Sequence, residues 1–341
     1  MGDTSIRLQH NESSWLLDTP ALSDLALRAR SAASRYPEYD ALIAEIAALH
    51  GIAPAMIALT PGSDAAIALI AQWCAREGKR ALLPVPTFYG YELILARHRA
   101  AVELVLHDAT PHGFRFPTDA VVARIQARAC DVVFLCQPNN PLGLLIPEED
   151  MARITAASRA ASVRLVIDEA YADFENPTLI GSAGAAIAVL RTFSKGWGLA
   201  GARIGYCVAD PPFIGSLAAL QLPWPVASQS VDAARAALAH AELIGERRRL
   251  LIAKREQLAD DLSALPSVVV YPSRANFLLI RVPDAARIVR GLAAEGIHVR
   301  DGATLATDAS ARALLHDHIR LGIPAPEERD RVLGAFARLL A

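Results

Sequence analysis

One lysine stands among small and hydroxyl residues in the run Arg191-Thr192-Phe193-Ser194-Lys195-Gly196-Trp197-Gly198-Leu199-Ala200-Gly201-Ala202-Arg203, and an arginine follows it eight positions on. An amine in this setting suits condensation with the aldehyde of a bulky ligand. Glycines allow the backbone to approach such a ligand closely, and the hydroxyls with Arg203 suit a phosphate group. Taken alone, the run also suits a glycine-rich loop carrying a solvated lysine.

Two upstream runs add to it. Leu165-Val166-Ile167-Asp168-Glu169-Ala170-Tyr171 is a short apolar run ending in an acid, the pattern of a buried parallel strand that delivers a carboxylate at its C-terminal tip. Val132-Val133-Phe134-Leu135-Cys136 is a second such strand, and it runs into the turn Gln137-Pro138-Asn139-Asn140-Pro141-Leu142-Gly143. Ligands of open α/β sheets bind beyond the carboxyl ends of the strands, so Asn140, Asp168 and Lys195 are expected to converge on one crevice. Gly62-Ser63-Asp64 opens an apolar helix, whose N-terminus would present free N–H groups and a positive dipole end to an anion. Ser63 equally suits the N-cap of that helix.

In this order and spacing (Asn140-Pro141-x-Gly143, Asp168-x-x-Tyr171, Ser194-Lys195, Arg203) the chain resembles the fold-type I pyridoxal-phosphate enzymes. Within them it resembles the class I/II aminotransferases, and most of all the subgroup of histidinol-phosphate aminotransferase and threonine-phosphate decarboxylase. Matching stretches run from Arg35-Tyr36-Pro37 to Arg320. The resemblance implies an α/β fold of the aspartate aminotransferase type, with a large domain built on a mainly parallel sheet and a smaller α+β C-terminal domain. The family pattern has Thr where this chain has Leu142.

The resemblance also implies roles. Lys195 would bond the cofactor and later move a proton. Asp168 would pair with the protonated ring nitrogen and keep the ring an electron sink. Tyr171 and Asn140 would hydrogen-bond the ring 3′-oxygen. Gly62, Ser63, Asp64, Thr192, Ser194 and Arg203 would cradle the phosphate. Phe88 would stack on the ring, with Tyr91 as the alternative. Tyr36 would reach the phosphate of a neighbouring subunit, which implies a homodimer. Arg320 would grip the substrate α-carboxylate, Arg300 would help hold a distal phosphate, and Asn11 with Glu12 would belong to an arm closing over the site. Plain structural readings stand beside these: Asp168 as a turn cap, Phe88 as core, Tyr36 as an aromatic packed before Pro37, Arg320 as a surface residue.

The reaction implied is amino transfer from an L-amino acid or amino-phosphate donor to a 2-oxo acid. The alternative is decarboxylation, since Leu222-Pro223-Trp224-Pro225-Val226 and Tyr271-Pro272-Ser273-Arg274-Ala275-Asn276-Phe277 resemble threonine-phosphate decarboxylase. That enzyme's N-terminal His-Gly-Gly has no counterpart here, and the arm Leu8-Gln9-His10-Asn11-Glu12 is nearer the aminotransferases. Ser13 and Ser14 follow where histidinol-phosphate enzymes often have an aromatic residue or proline.

The elements must position these residues. With 341 residues, 53% of them hydrophobic, the chain can bury a large core, and an arm (1–30), a large domain (31–240) and a small domain (241–341) are expected. A net charge of −2 offers no footprint for nucleic acid or an anionic membrane. Four cysteines without metal spacing read as reduced and structural, which suits the cytoplasm and no metal. The polar N-terminus is not a signal peptide, and Ala65–Ala71 is too short to span a bilayer.

Along the chain, helices are expected at Ser23–Ser34, Tyr39–His50, Ala65–Glu77, Phe88–His98, Thr118–Arg128 and Pro147–Ala160. Strands are expected at Arg80–Val85, Val102–His107, Val132–Cys136, Val163–Ile167, Ala186–Arg191 and Arg203–Val208. Such alternation predicts a mainly parallel sheet covered on both faces. One long helix is expected from Ser228 to Leu265. After it come strands Val268–Tyr271, Asn276–Arg281, Ile297–Arg300 and His318–Gly322, with helices Ala285–Glu295 and Pro326–Leu340.

Overall fold

The computed structural model describes residues 5–17, 35–174 and 176–341; the expected helix Ser23–Ser34 lies outside them. The first strand is β1 (Ile6–Arg7). Next in sequence are β2 (Ile57–Thr60), β3 (Arg80–Val85), β4 (Ala101–Leu106) and the hairpin β5 (Asp108–Thr110) with β6 (Gly113–Arg115). They are followed by β7 (Val132–Cys136), β8 (Arg164–Asp168), β9 (Ile187–Thr192) and β10 (Gly205–Val208). The central sheet has seven strands in the order β2-β10-β9-β8-β7-β3-β4. Strands β9, β8, β7, β3 and β4 run parallel, and β10 is antiparallel to both its neighbours.

Alternation along each strand divides the side chains between two buried faces. Val133, Leu135, Ile167 and Val189 enter one apolar core, while Val132, Phe134, Val166, Ala188 and Leu190 enter the other. Burial on both faces explains why these strands read as unbroken apolar runs.

A second, antiparallel sheet has the order β11-β12-β15-β14, from β11 (Val269–Val270), β12 (Phe277–Arg281), β14 (Arg300–Asp301) and β15 (His318–Gly322). The helices Ala285–Ala294 and Arg329–Leu340 bury Ile288, Leu292, Val332 and Phe336 in one core with Phe277, Ile280, Ile319 and Leu321 of this sheet. Ile6, Leu8 and Leu16 of the N-terminal segment join the same core. β1 pairs in parallel with β13 (Ile297–His298).

Two expectations need correction. The stretch 228–265 is two helices, Ser228–Ala239 and Ala241–Ser263, with His240 between them at φ −109°, ψ 25°. The break lets Val231, Ala234 and Ala237 face the central sheet's core while Leu251, Leu258 and Leu262 face the second. The strand expected at Ile297–Arg300 is likewise divided, because Ile297 and His298 pair with β1 whereas Arg300 and Asp301 pair with β15. In the helix Asp40–His50 the buried face is Leu42, Ile46 and Ala47, and Leu49 is 50% exposed.

β2, the β5–β6 hairpin and the helices Pro211–Ala218 and Ala309–Leu314 were not expected. Among the described residues no helix is long and apolar enough to cross a membrane. All four cysteines are free thiols in buried positions.

Candidate active site

The C-terminal ends of the parallel strands meet at a cleft of about 330 Å³. Asn140 reaches it from the turn after β7, Asp168 and Tyr171 from the end of β8, and Thr192, Ser194 and Lys195 from the end of β9. Arg203 enters just before β10, and Ser63 and Asp64 begin the helix Ser63–Arg76. Phe88, Asn11, Arg300 and Arg320 complete the set drawn from the sequence. Two expected residues do not line this cleft. Gly62 stands behind it, and Tyr36 is 74% exposed, stacked on Trp224 with ring centroids 4.4 Å apart.

The phosphate-type cradle is built from backbone closeness. Gly62 caps the helix at φ +77°, and a Cβ there would lie 2.8 Å from the Arg203 guanidinium. Only glycine holds this conformation cheaply and leaves the arginine its place. The N-cap is therefore Gly62, and Ser63 is the first helical residue, free to face the cleft. Arg203 Nη1 donates to Ser194 Oγ at 3.3 Å and Nη2 to Asp64 at 3.4 Å; Thr192 Oγ1 accepts from the Ser194 N–H at 3.1 Å.

Asp168 is buried. One carboxylate oxygen accepts from the Tyr91 hydroxyl at 2.7 Å and the other from the Ala170 N–H at 3.0 Å. Burial pushes its carboxyl up to about 6, against the pull of those two hydrogen bonds. Tyr91 thus lies fully buried behind Asp168 and is no alternative ring platform. Phe88 faces the cleft, its ring set against Gly90, where a Cβ would come within 2.4 Å of it.

Lys195 is half-buried, and loss of solvent, reinforced by Arg320 and Arg203, lowers its amine to about 8 although Asp64 and Glu12 act the other way. Its Nζ donates to the backbone oxygens of His10 at 2.8 Å and Asn11 at 3.3 Å. Asn11 Nδ2 donates to the Tyr171 hydroxyl at 3.0 Å. Burial raises the Tyr171 phenol far above its ordinary range, opposed by Arg320 and Asn11. Arg320, also buried, donates to Asn140 Oδ1 at 2.6 Å and to the Gln9 carbonyl at 2.7 Å, and its Nε has no partner. Burial lowers it to about 10, opposed by Tyr171 and helped by Arg300. Arg300 lies over the Tyr89 ring at 5.8 Å, with its own Nε unpartnered.

Several cleft residues carried no sequence signal of their own: Gln9, His10, Tyr89 and Cys136 line it. The arm motif pointed to Asn11 but not to the neighbours whose carbonyls meet Lys195 and Arg320.

The family model of aminotransferase class I and II matches residues 7–336. A histidinol-phosphate aminotransferase of Stenotrophomonas maltophilia (strain R551-3) is 38% identical to this chain, over 97% of this chain and 89% of its own. The solved histidinol-phosphate aminotransferase of Sinorhizobium meliloti, in complex with pyridoxal-5′-phosphate, superposes with a TM-score of 0.85 at 25% identity, covering 98% of this chain and 90% of that one. An L-threonine-O-3-phosphate decarboxylase of Porphyromonas gingivalis shares the fold, with a TM-score of 0.82 at 23% identity, covering 98% and 99%. The cleft's donor set fits that phosphate-bearing aldehyde. It holds an amine of lowered basicity, a buried carboxylate without a cation, and a cradle of hydroxyls, one guanidinium and a helix N-terminus.

Proposed function

We propose, for a chain that belongs to the class I and II aminotransferases and is a pyridoxal-phosphate-dependent aminotransferase, that its donor is histidinol phosphate and its acceptor a 2-oxo acid. One observation carries the reading. Two guanidinium groups, Arg320 and Arg300, stand in the same cleft as the half-buried Lys195, each with an unpartnered Nε. A phosphate ester on the donor and a carboxylate on the acceptor both need such planar, multidentate cations. The 97% coverage by relatives of that name supports the same donor.

Bound pyridoxal phosphate supplies an electron sink for the bond broken at the amino-bearing carbon. The chain supplies the rest. Lys195, neutral above about pH 8, would take the proton from the amino-bearing carbon of the donor and later give it back. Asp168, lacking a cation partner in a buried position, holds the positive ring nitrogen. Tyr171 and Asn140 hold the ring oxygen. Ser63, Thr192, Ser194 and Arg203 hold the phosphate, with Gly62 and Asp64 shaping the cradle. Phe88 supports the ring. Asn11 and its neighbours cover the site and exclude water, which strengthens each of these interactions.

The assembly we propose is a cytoplasmic homodimer of a biosynthetic enzyme, each chain made of the arm (1–30), a large domain (31–240) and a small domain (241–341), with Tyr36 reaching the neighbour's phosphate. The exposed apolar groups Tyr36, Leu222 and Trp224 support such an interface.

A panel of donors containing histidinol phosphate and phosphothreonine tests the reaction. Pyridoxamine phosphate should form from histidinol phosphate without CO₂. Stoichiometric CO₂ from phosphothreonine, with no pyridoxamine phosphate, would establish the decarboxylase instead.

A further inference from the structure

Four charged side chains cluster behind the cleft, with Tyr206 against Arg191 and His50 hydrogen-bonded to the Tyr206 hydroxyl at 2.7 Å. Arg191 of β9 points to the face opposite Leu190 and Thr192. Its Nη1 donates to Glu169 at 3.0 Å and its Nη2 to Asp173. Arg248, from the helix Ala241–Ser263, lies 3.5 Å from the same Asp173 oxygen. The four side chains are between 1% and 16% exposed. Arg191 and Arg248 face Glu169 and Asp173, so removing one carboxylate leaves a buried guanidinium short of a counter-charge. Burial works against the Arg191 charge, yet Asp173, Tyr206 and Glu169 carry it above the ordinary range. Glu169 accepts two more hydrogen bonds at 2.6 Å, from the Thr178 hydroxyl and the Leu179 N–H.

The position of this cluster matters more than its charge. Glu169 follows Asp168, and Asp173 lies two residues past Tyr171, so both ends of the segment carrying Tyr171 are tied to β9, the strand that leads to Lys195. Asp173 also backs the residue next to Lys195, since a Cβ on Gly196 would lie 2.3 Å from the Asp173 Cβ. Arg248 lies 5.1 Å over the ring of Trp197, one residue further.

We propose that Asp173, held by Arg191 and Arg248, is a positioning residue that sets the spacing between the Lys195 segment and the Asp168–Tyr171 segment. Through that spacing it governs how tightly the Lys195 nitrogen holds its proton. The inference rests on the assignment of Lys195, Asp168 and Tyr171 to the cofactor.

The test uses the holoenzyme and the visible absorption band of the cofactor joined to the protein, titrated with pH. In Asp173→Asn the titration midpoint should move by at least about half a unit, with kcat roughly 10- to 100-fold lower and KM for the donor within about twofold. Faster loss of cofactor on dialysis should accompany it. Arg248→Lys, which keeps the charge, should show the same changes at smaller amplitude, and it serves where Asp173→Asn fails to fold. A lysine-dependent band that both variants leave unmoved, with only the melting temperature lowered, overturns the inference alone. A band that survives in Lys195→Ala overturns the cofactor assignment and the inference with it.

Discussion

At Asp168 two hydrogen bonds, from Tyr91 and Ala170, fail to offset burial, and the carboxyl titrates near 6 rather than 3.8. A folded-state value above the unfolded one means that this group's stabilisation is complete below pH 3.8 and lost as pH rises through about 6. The difference corresponds to ~3 kcal/mol at neutral pH. The apo form of Asp168→Asn should therefore melt higher than apo wild type at pH 8, by ~1–3 kcal/mol in stability, and the gain should shrink toward pH 4. The same variant with cofactor should have kcat at least ~100-fold lower, because the ring nitrogen loses its counter-charge. Calorimetry of both apo proteins at two pH values decides it; an apo variant that melts no higher removes the argument. Lys195 is displaced the other way, to about 8 from 10.5. Only its neutral form condenses with an aldehyde, so stopped-flow uptake of cofactor by the apo-protein should accelerate up to about pH 8 and level off above it. The identities of these two residues were legible because strand ends and a small-residue loop mark them in the chain. The role of Tyr91 was not. Nothing in Phe88-Tyr89-Gly90-Tyr91 says which ring faces the cleft and which lies behind Asp168, since that depends on a contact 77 residues away.

Elements with strong periodic patterns could be read directly. β3, β7 and β15 coincide with their expected bounds, because β3 and β7 are near-continuous apolar runs and β15 alternates apolar Ile319 and Leu321 with polar His318 and Arg320. β2 was hidden because Ile57–Thr60 is only four residues long and leads straight into the next helix. The break at His240 was hidden because no glycine or proline marks it; it follows from two cores claiming two halves of one helical pattern. β10 supplies a test at this scale. A Cβ on Gly205 would lie 2.5 Å from the Arg191 carbonyl and 2.9 Å from the backbone of Gly62 and Ser63. These are backbone atoms and cannot swing aside. Gly205→Ala should push β10 away from the cradle, destabilise the protein by ~1–3 kcal/mol and weaken cofactor retention together. Denaturant unfolding and dialysis of the same sample check both effects; unchanged retention would place Gly205 outside the cradle's support.

The whole molecule is expected to act in pairs. Sedimentation should give a species of twice the 36.4 kDa of one chain. Tyr36→Phe should leave that species intact but weaken cofactor binding by about tenfold, the equivalent of ~1.4 kcal/mol for a hydrogen bond to a charged group. A fully active monomer would remove the shared site. The arm carries a further consequence for how the protein is made. β1 pairs with β13, and the Leu8 carbonyl accepts from the N–H of Gly322 at 2.8 Å. Residues 6–8 are therefore docked by segments made roughly 290 or more residues later. At roughly 5–20 residues per second, residues 6–8 wait on the order of 15–60 seconds for their partners, while the cradle around Arg203 is already complete in sequence. A nascent chain can thus gather the cofactor's phosphate contacts well before it can cover Lys195. The amine stays open to any aldehyde in the surroundings until residues 297–322 have been made and can dock the arm.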